Sequence, residues 1–277
     1  MSYLTGGLDW HAEYVAVVAD KDDALDLSGW VSVDNRSGAS FPDATLQLVA
    51  GDIHRATPER RYGKGMAAQV EMLRAQDTAF GEEAFFEYHL YSLERPTTIL
   101  DNETKQITLF PPARCSVKKL YEASPAAGGK VRVVLETRNS SDAGLGLPLP
   151  KGVVRVYKRD SRERLQFLGE DRIDHTPRDE KVRVSIGNAF DLVVERTELD
   201  MRRLGQRDRE VDVKIEVRNR KETETATVVL QEDLYGYWTI RNCSHPYEQK
   251  SATRLEIPVT VRAGETATVL YTVRFTG

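Results

Sequence analysis

Alternation of apolar and polar residues dominates this chain. It is clearest in three segments, where every second residue is apolar: Leu25–Val33, Val131–Leu135 and Val211–Val217. A period of two is typical of β-strands, because successive side chains point to opposite faces of a sheet. Further strands are predicted at Tyr14–Val18, Ala44–Ala50, Ala84–Tyr91, Gln106–Phe110, Val153–Lys158, Leu165–Gly169, Val182–Ile186, Leu192–Leu199, Thr225–Leu234, Arg254–Val261 and Ala267–Phe275.

The spacing of these strands predicts an all-β fold of two sandwich-like, immunoglobulin-like antiparallel domains. At 277 residues the chain is longer than one compact core usually is. A highly charged stretch at 169–181 indicates the boundary, which we place between residues 175 and 176. Residues 1–175 then form the larger sandwich. Residues 176–277 have the size and strand number of one immunoglobulin-like sandwich.

A long polar segment at about residues 53–81 interrupts the first predicted domain. Residues 65–76 within it are strong helix formers and predict a short helix. Because long insertions between strands often carry function, two interpretations stay open, a mobile surface loop and a partner-binding element. The candidate partner contacts are Arg55, Arg60, Arg61, Met66 and Met72.

A short sequence pattern recurs at the ends of three predicted strands. A strand that ends in asparagine is followed by a polar turn at Asn35, Asn139 and Asn219. Asparagine tolerates the left-handed backbone conformation and hydrogen-bonds the backbone of its own turn. We therefore interpret the three residues as strand-to-turn junctions and not as a site.

Composition and charge mainly exclude certain classes of function. The net charge is −4 and both signs are interspersed, so no nucleic-acid partner is expected. No apolar run is long enough to predict a membrane span. The start lacks the order of a signal peptide, and localisation stays open between a cytoplasmic protein and an exported or periplasmic one whose signal was removed. Cys115 and Cys243 are too few for a disulfide framework and are expected to be inert, partly buried thiols.

The densest group of ionisable residues lies at the predicted domain junction. It contains Glu170, Asp171, Asp174 and His175. Carboxylates bind hard cations, and with an imidazole they can provide acid and base groups, which would suit a metal-binding protein or a hydrolase. Alternatively, neighbours such as Arg172 pair with the carboxylates, and the stretch is a salt-bridged connector. The sequence has none of the standard nucleophile, phosphate-binding or metal motifs, so no cofactor is predicted.

Aromatic residues offer a further alternative. Trp10, Trp30 and Trp238, together with Tyr14, Tyr235 and Tyr237, could form a stacking platform for a carbohydrate. Sandwich cores and domain interfaces use the same residue types. A carbohydrate-binding module is therefore kept as an alternative, and it requires that some of the tryptophans be exposed.

Several longer motifs together resemble a known family. They are Ser28–Val31, Asp43–Asp52, Phe86–Tyr91, Arg95–Thr98, Leu147–Tyr157 and Gly169–Pro177. The set resembles the bacterial domain of unknown function that forms the C-terminal part of mucoidy-inhibitor-A-like proteins, and the likeness extends from about Leu8 to Phe275. The resemblance implies a setting in the bacterial envelope, and it assigns no catalytic residue.

Taken together, the sequence favours a non-catalytic protein-interaction or structural module. The sandwiches would present edges and loops to a protein partner, because a free β-edge is a natural template for strand pairing. The metal-binding or hydrolytic junction and the carbohydrate-binding module remain the alternatives.

Overall fold

The computed structural model describes residues 3–51 and 80–277. Among these residues there is no α-helix, and two single 3₁₀ turns, Pro125–Ala127 and Ser141–Ala143, interrupt an otherwise β-stranded chain. The all-β prediction is therefore confirmed. Most of the predicted insertion at 53–81 lies outside the described residues. So do its candidate contacts Arg55, Arg60, Arg61, Met66 and Met72.

The described residues form 19 strands. In chain order they are β1 (Leu8–Val18), β2 (Ala24–Asn35), β3 (Phe41–Ala44), β4 (Gln47–Ala50), β5 (Phe80–Phe85), β6 (Tyr88–Leu93), β7 (Thr97–Ile99), β8 (Glu103–Ser116), β9 (Lys118–Ala123), β10 (Lys130–Arg138), β11 (Gly152–Arg159), β12 (Leu165–Ile173), β13 (Lys181–Arg203), β14 (Arg209–Asn219), β15 (Ala226–Asp233), β16 (Tyr237–Cys243), β17 (Glu248–Gln249), β18 (Arg254–Val261) and β19 (Thr266–Thr276).

The chain divides into two compact units. The first consists of Met1–Lys118 and Thr137–Val184, and the second of Lys119–Glu136 and Ser185–Gly277. The boundary predicted between residues 175 and 176 lies inside the first unit. The units are thus not two consecutive segments, because a short early segment of the chain belongs to the second unit.

The first unit is built on a five-stranded sheet in the order β12-β11-β1-β2-β8. β1 pairs in parallel with β11 and antiparallel with β2. Ala12, Tyr14 and Ala16 are buried on one face of β1, while the residues between them are half-buried on the other. The small sheet β4-β6-β5 contributes Leu48 and Tyr91 to the buried core, and the small sheet β3-β7 contributes Ile99.

The second unit contains one nine-stranded sheet, in the order β16-β19-β14-β13-β10-β9-β15-β18-β17. Alternate residues of distant strands, among them Val213, Val228, Ile257 and Val269, form one buried cluster. Because strands from both halves of the sheet share this cluster, the sheet curls over itself and encloses a sandwich-like core.

The three strand-end asparagines play the structural role that the sequence indicated. Each is fully buried, and each side-chain amide donates to backbone carbonyl groups of adjoining loops. The acceptors are Ala39 and Leu100 for Asn35, Leu147, Thr176 and Pro177 for Asn139, and Glu224 and Val261 for Asn219. None of the three has a positive φ, so these junctions do not use the left-handed conformation that asparagine tolerates.

Both cysteines are free, Cys115 buried and Cys243 half-buried. Burial raises the pKa of both thiols, which disfavours the reactive thiolate.

Candidate functional site

The predicted junction residues do not meet at one point. Residues 169–173, expected to lie in a polar connector, belong to strand β12. Glu170 pairs in register with Arg155, and its Oε2 lies 3.3 Å from the Arg155 Nε. Asp171 pairs with Val154, whose side chain is buried in the core. Because neighbours on a strand face opposite sides, the two carboxylates point apart.

The other two junction residues follow the strand. Asp174 is exposed, and its backbone carbonyl accepts a hydrogen bond from the Thr176 hydroxyl at 2.8 Å. The Lys151 backbone N–H donates to His175 Nδ1 at 3.2 Å. Among the residues described, no group of three or more histidine, cysteine, aspartate or glutamate side chains is placed to hold a metal ion. The geometry therefore gives the metal-binding and hydrolytic alternatives no assembled site.

His175 does line a cleft of about 240 Å³ in the first unit, together with His89, Tyr91 and Pro148. Two of the polar side chains that line it, His89 and Tyr91, have hydrogen-bond or ion-pair partners. His89 Nδ1 lies 2.8 Å from Glu82 Oε1, and the Tyr91 hydroxyl donates to the Pro148 carbonyl at 2.8 Å. Burial raises the Tyr91 pKa, so this phenol stays neutral and keeps donating. The side chains at the cleft that could act as nucleophiles include Glu87 and Thr176, and the Thr176 hydroxyl donates its hydrogen bond to the Asp174 carbonyl and not to a base.

A buried ion pair lies in the core of the second unit. Glu232 Oε2 accepts hydrogen bonds from the Tyr271 hydroxyl at 2.6 Å and from Arg196 Nε at 3.0 Å. Burial, followed by the charge of Glu232, raises the Tyr271 pKa. For Arg196, the hydrogen bond to Glu198 and the charge of Glu232 outweigh burial and raise the pKa. The groups neutralise one another inside the sandwich, which suits a structural role.

The aromatic residues considered for a carbohydrate platform differ in exposure, and Tyr235 and Tyr237 are 74% and 81% exposed. Tyr14 is fully buried and donates its hydroxyl hydrogen bond to the Pro150 carbonyl at 2.7 Å. Trp10, Trp30 and Trp238 are each half-buried. Trp238 Nε1 donates to the Ala252 carbonyl at 2.7 Å. The tryptophans therefore act mainly as packing residues with a partly open edge.

One exposed apolar stretch of the first unit lies on an edge strand. β12 is the terminal strand on one side of the five-stranded sheet, and within residues 3–51 and 80–277 only β11 pairs with it. Leu165, Phe167 and Leu168 are 50%, 55% and 39% exposed. No charged residue interrupts the stretch from Leu165 to Gly169. We call Leu165–Gly169 the open edge.

A bulge and an aromatic contact shape the open edge. The register between β11 and β12 shifts between Val156 and Tyr157, and Leu168 is the additional residue on β12. The Phe167 ring packs edge-on against the Tyr157 ring, with centroids 5.6 Å apart. Phe167 is thereby held in place while more than half of its surface stays accessible.

The turn before β12 is tied together by one carboxylate. Asp160 accepts hydrogen bonds from the backbone N–H groups of Arg162 and Arg164 at 2.9 and 3.0 Å. The side chains of Arg164 and Gln166 donate to its second oxygen. The backbone bond from Arg164 is the main cause that lowers the Asp160 pKa. The carboxylate thus stays charged and fixes the start of the open edge.

Sequence reasoning predicted the strand at Leu165–Gly169 but did not assign it a role. The order of strands in the sheet makes it an edge, and strand order depends on contacts between distant segments. No local signal marked it as an edge, because an uncharged stretch with apolar residues at Leu165, Phe167 and Leu168 lacks the charges and prolines that edge strands usually carry.

Comparison with known proteins adds no assignment. No protein-family model matches the chain, and no curated protein matches it. In the described parts of the chain, no helix has the length and apolar character needed to cross a membrane.

Proposed function

We propose that this protein is a non-catalytic protein-interaction module, and that the open edge of β12 binds an extended segment of a protein partner by strand addition. The observation that carries the proposal is the combination on one strand of a free backbone edge and three exposed apolar side chains. A free edge presents unpaired N–H and C=O groups, which a partner strand satisfies.

The side chains define the chemistry of the partner. Leu165 and Phe167 lie on the same face of β12, on either side of Gln166, so a partner strand would place apolar residues at alternate positions beside them. Beyond Gly169 the edge carries Glu170 and Arg172, which would pair with charges of opposite sign at the far end of the partner segment. The fixed turn at Asp160 reduces the entropy lost on binding.

Affinity purification from the natural host tests this proposal. Tagged wild-type protein is compared with the Phe167→Lys variant, in which a charge replaces the central apolar side chain of the edge. Phe190→Lys is the matched control, because Phe190 is an exposed phenylalanine of the second unit. Proteins that co-purify are measured by quantitative mass spectrometry.

We expect a partner to co-purify in stoichiometric amount with the wild type and with Phe190→Lys. The amount of this partner should fall at least tenfold with Phe167→Lys. That factor corresponds to the loss of about 1.4 kcal/mol, within the range for one apolar anchor. Equal recovery of every partner with the two variants would refute the role of the open edge.

The cellular setting that we propose is the bacterial envelope. It rests on the likeness of motifs such as Leu147–Tyr157 and Gly169–Pro177 to those of mucoidy-inhibitor-A-like proteins. Fractionation of the host with antibodies against the chain tests it, and recovery exclusively with cytoplasmic markers would reject it.

A further inference from the structure

A second exposed surface lies in the other unit, at the tip of the β13–β14 hairpin. β13 ends at Arg203 and β14 begins at Arg209. The Leu204 N–H donates to the Asp208 carbonyl at 2.9 Å and closes the turn between them. We call Met201, Arg203, Leu204, Arg207 and Arg209 the hairpin end.

The arginines of the hairpin end carry unbalanced positive charge. Among the described residues, Arg203, Arg207 and Arg209 form no ion pair, although every acidic residue between 198 and 210 has an arginine partner. These pairs are Glu198 with Arg196, Asp200 with Arg202, Asp208 with Arg274, and Glu210 with Arg202. Three positive charges are therefore left for an external anion.

Two of these charges oppose each other within the fold. Arg203 and Arg209 lie directly across from each other in the antiparallel register. Like charges at opposed positions destabilise a strand pair. The repulsion between the two guanidinium groups lowers the stability of the free hairpin. An anionic surface beside them would reduce this repulsion.

Apolar side chains project beside the arginines. Met201 pairs with the buried Val211 and faces the same side of the sheet, but it is 55% exposed. Leu204, in the turn itself, is 49% exposed. The hairpin therefore extends past the core, and its exposed end is apolar as well as cationic.

Aromatic residues lie at the same end of the sheet. The guanidinium of Arg209 is 4.7 Å from the centre of the Phe275 ring, which pairs with Trp238 on the next strand. β16 begins there with Tyr237, and Tyr237 and Tyr235 are both largely exposed. Tyrosine and tryptophan favour the boundary between apolar and aqueous phases, where one end of the side chain stays hydrated.

We propose that the hairpin end binds the surface of an anionic lipid bilayer. The three arginines would contact lipid phosphates, and Met201 and Leu204 would enter the boundary between headgroups and acyl chains. A projecting hairpin can contact the surface of a fluid bilayer without a preformed pocket. The chain as a whole carries a net charge of −4, so attraction to an anionic surface must come from this local cluster.

Co-sedimentation of the purified protein with vesicles tests the inference. Vesicles of equal parts phosphatidylglycerol and phosphatidylcholine are compared with vesicles of phosphatidylcholine alone, at low and at physiological salt. We expect binding only to the anionic vesicles, and weaker binding as salt rises. The R203Q/R209Q variant should lower the partition coefficient about 30-fold, since each arginine near the surface contributes about fivefold.

A matched variant separates local from general charge. R220Q/R262Q changes the net charge equally at two exposed arginines outside the hairpin, and we expect less than about a twofold effect. M201S/L204S should weaken binding without any change in charge. No binding to anionic vesicles, equal effects of the two arginine variants, or binding to a soluble polyanion such as heparin without binding to vesicles would overturn the inference. The test uses no protein partner, so its outcome is independent of the open edge.

Discussion

The five-stranded sheet has two edges, and they are built differently. At one side β8 contains Pro111 and Pro112, both exposed, in a stretch where its register with β2 shifts between Leu27 and Gly29. Proline has no N–H to donate, and prolines and bulges are common ways to protect a sheet edge. At the other side β12 has no proline, and its first half is apolar and uncharged.

The difference bears on function because both edges belong to the same sheet. The prolines and the register shift of β8 are features that disfavour pairing with a further strand, and the sheet forms with them in place. The open edge of β12 is therefore a feature of one side of the sheet. An unprotected edge with exposed apolar side chains is typical of a surface that binds a partner.

The largest effect is expected where β8 is anchored. A Cβ at Gly29 would lie 2.6 Å from the ring of the buried Phe110, which packs near Tyr14. We expect Gly29→Ala to lower the free energy of unfolding of the first unit by about 2 to 3 kcal/mol, because Phe110 must shift in a packed core. Gly81→Ala is the control, since the nearest atom to its new Cβ is 3.9 Å away. Urea denaturation measures both, and equal midpoints would contradict the anchoring of β8.

Removal of the prolines should open the protected edge. In the variant Pro111→Thr/Pro112→Thr, β8 gains two N–H donors, and we expect dimers that form in a concentration-dependent way. The cost in monomer stability should stay at or below about 1 kcal/mol, mainly through greater freedom of the unfolded chain. Sedimentation velocity measures the association. A variant that sediments as wild type over the full concentration range would show that the prolines do not protect this edge.

The start of the open edge should loosen when Asp160 loses its charge. The lowered pKa of Asp160 means that its charged form favours the folded turn above the unfolded pKa of about 3.9, and that this contribution is lost as pH falls through the lower folded value. We expect several-fold faster amide exchange at residues 164–167 in Asp160→Asn at neutral pH. The difference in amide exchange rate between this variant and the wild type should become smaller below about pH 4.

The control for Asp160 lies in the same turn. Glu163 is exposed and its nearest ion-pair contact, with Arg159, is 3.9 Å. Glu163→Gln should therefore leave the exchange rates unchanged. Equal acceleration in both variants would show that general charge, and not the hydrogen bonds of Asp160, holds the turn.

The smallest effect is expected at the open edge itself. Because Phe167 is 55% exposed at the end of the sheet, we expect Phe167→Lys to change the free energy of unfolding by no more than about 0.5 kcal/mol. Chemical denaturation measures it. A loss of several kcal/mol would mean that Phe167 serves the fold and not a partner.

Local patterns predicted much of this fold. Alternation in Val211–Val217 was correct residue by residue, because each apolar side chain enters the core. The buried asparagines were correctly interpreted as junctions. The long strand β13 appeared in the sequence as two shorter strands, since Gly187 and the polar residues near it break the pattern while the backbone continues.

The site could be predicted only in part. Alternation along Glu170 and Asp171 would have shown that these carboxylates face opposite sides, which weakens a shared metal site. In contrast, nothing near Leu165 or Arg203 reveals that one lies on a sheet edge and the other faces Arg209. Both facts depend on pairing between segments, which a single sequence does not encode locally.

Site-specific photo-crosslinking in the natural host tests the open edge most directly. A photoreactive phenylalanine analogue replaces Phe167 in one protein and Phe190 in another, and the adducts are identified by mass spectrometry. We expect a discrete protein adduct at position 167 that is absent at position 190 and disappears when Leu165→Lys is added. Adducts of equal yield at both positions, or none at position 167, would contradict the claim that β12 receives a partner strand.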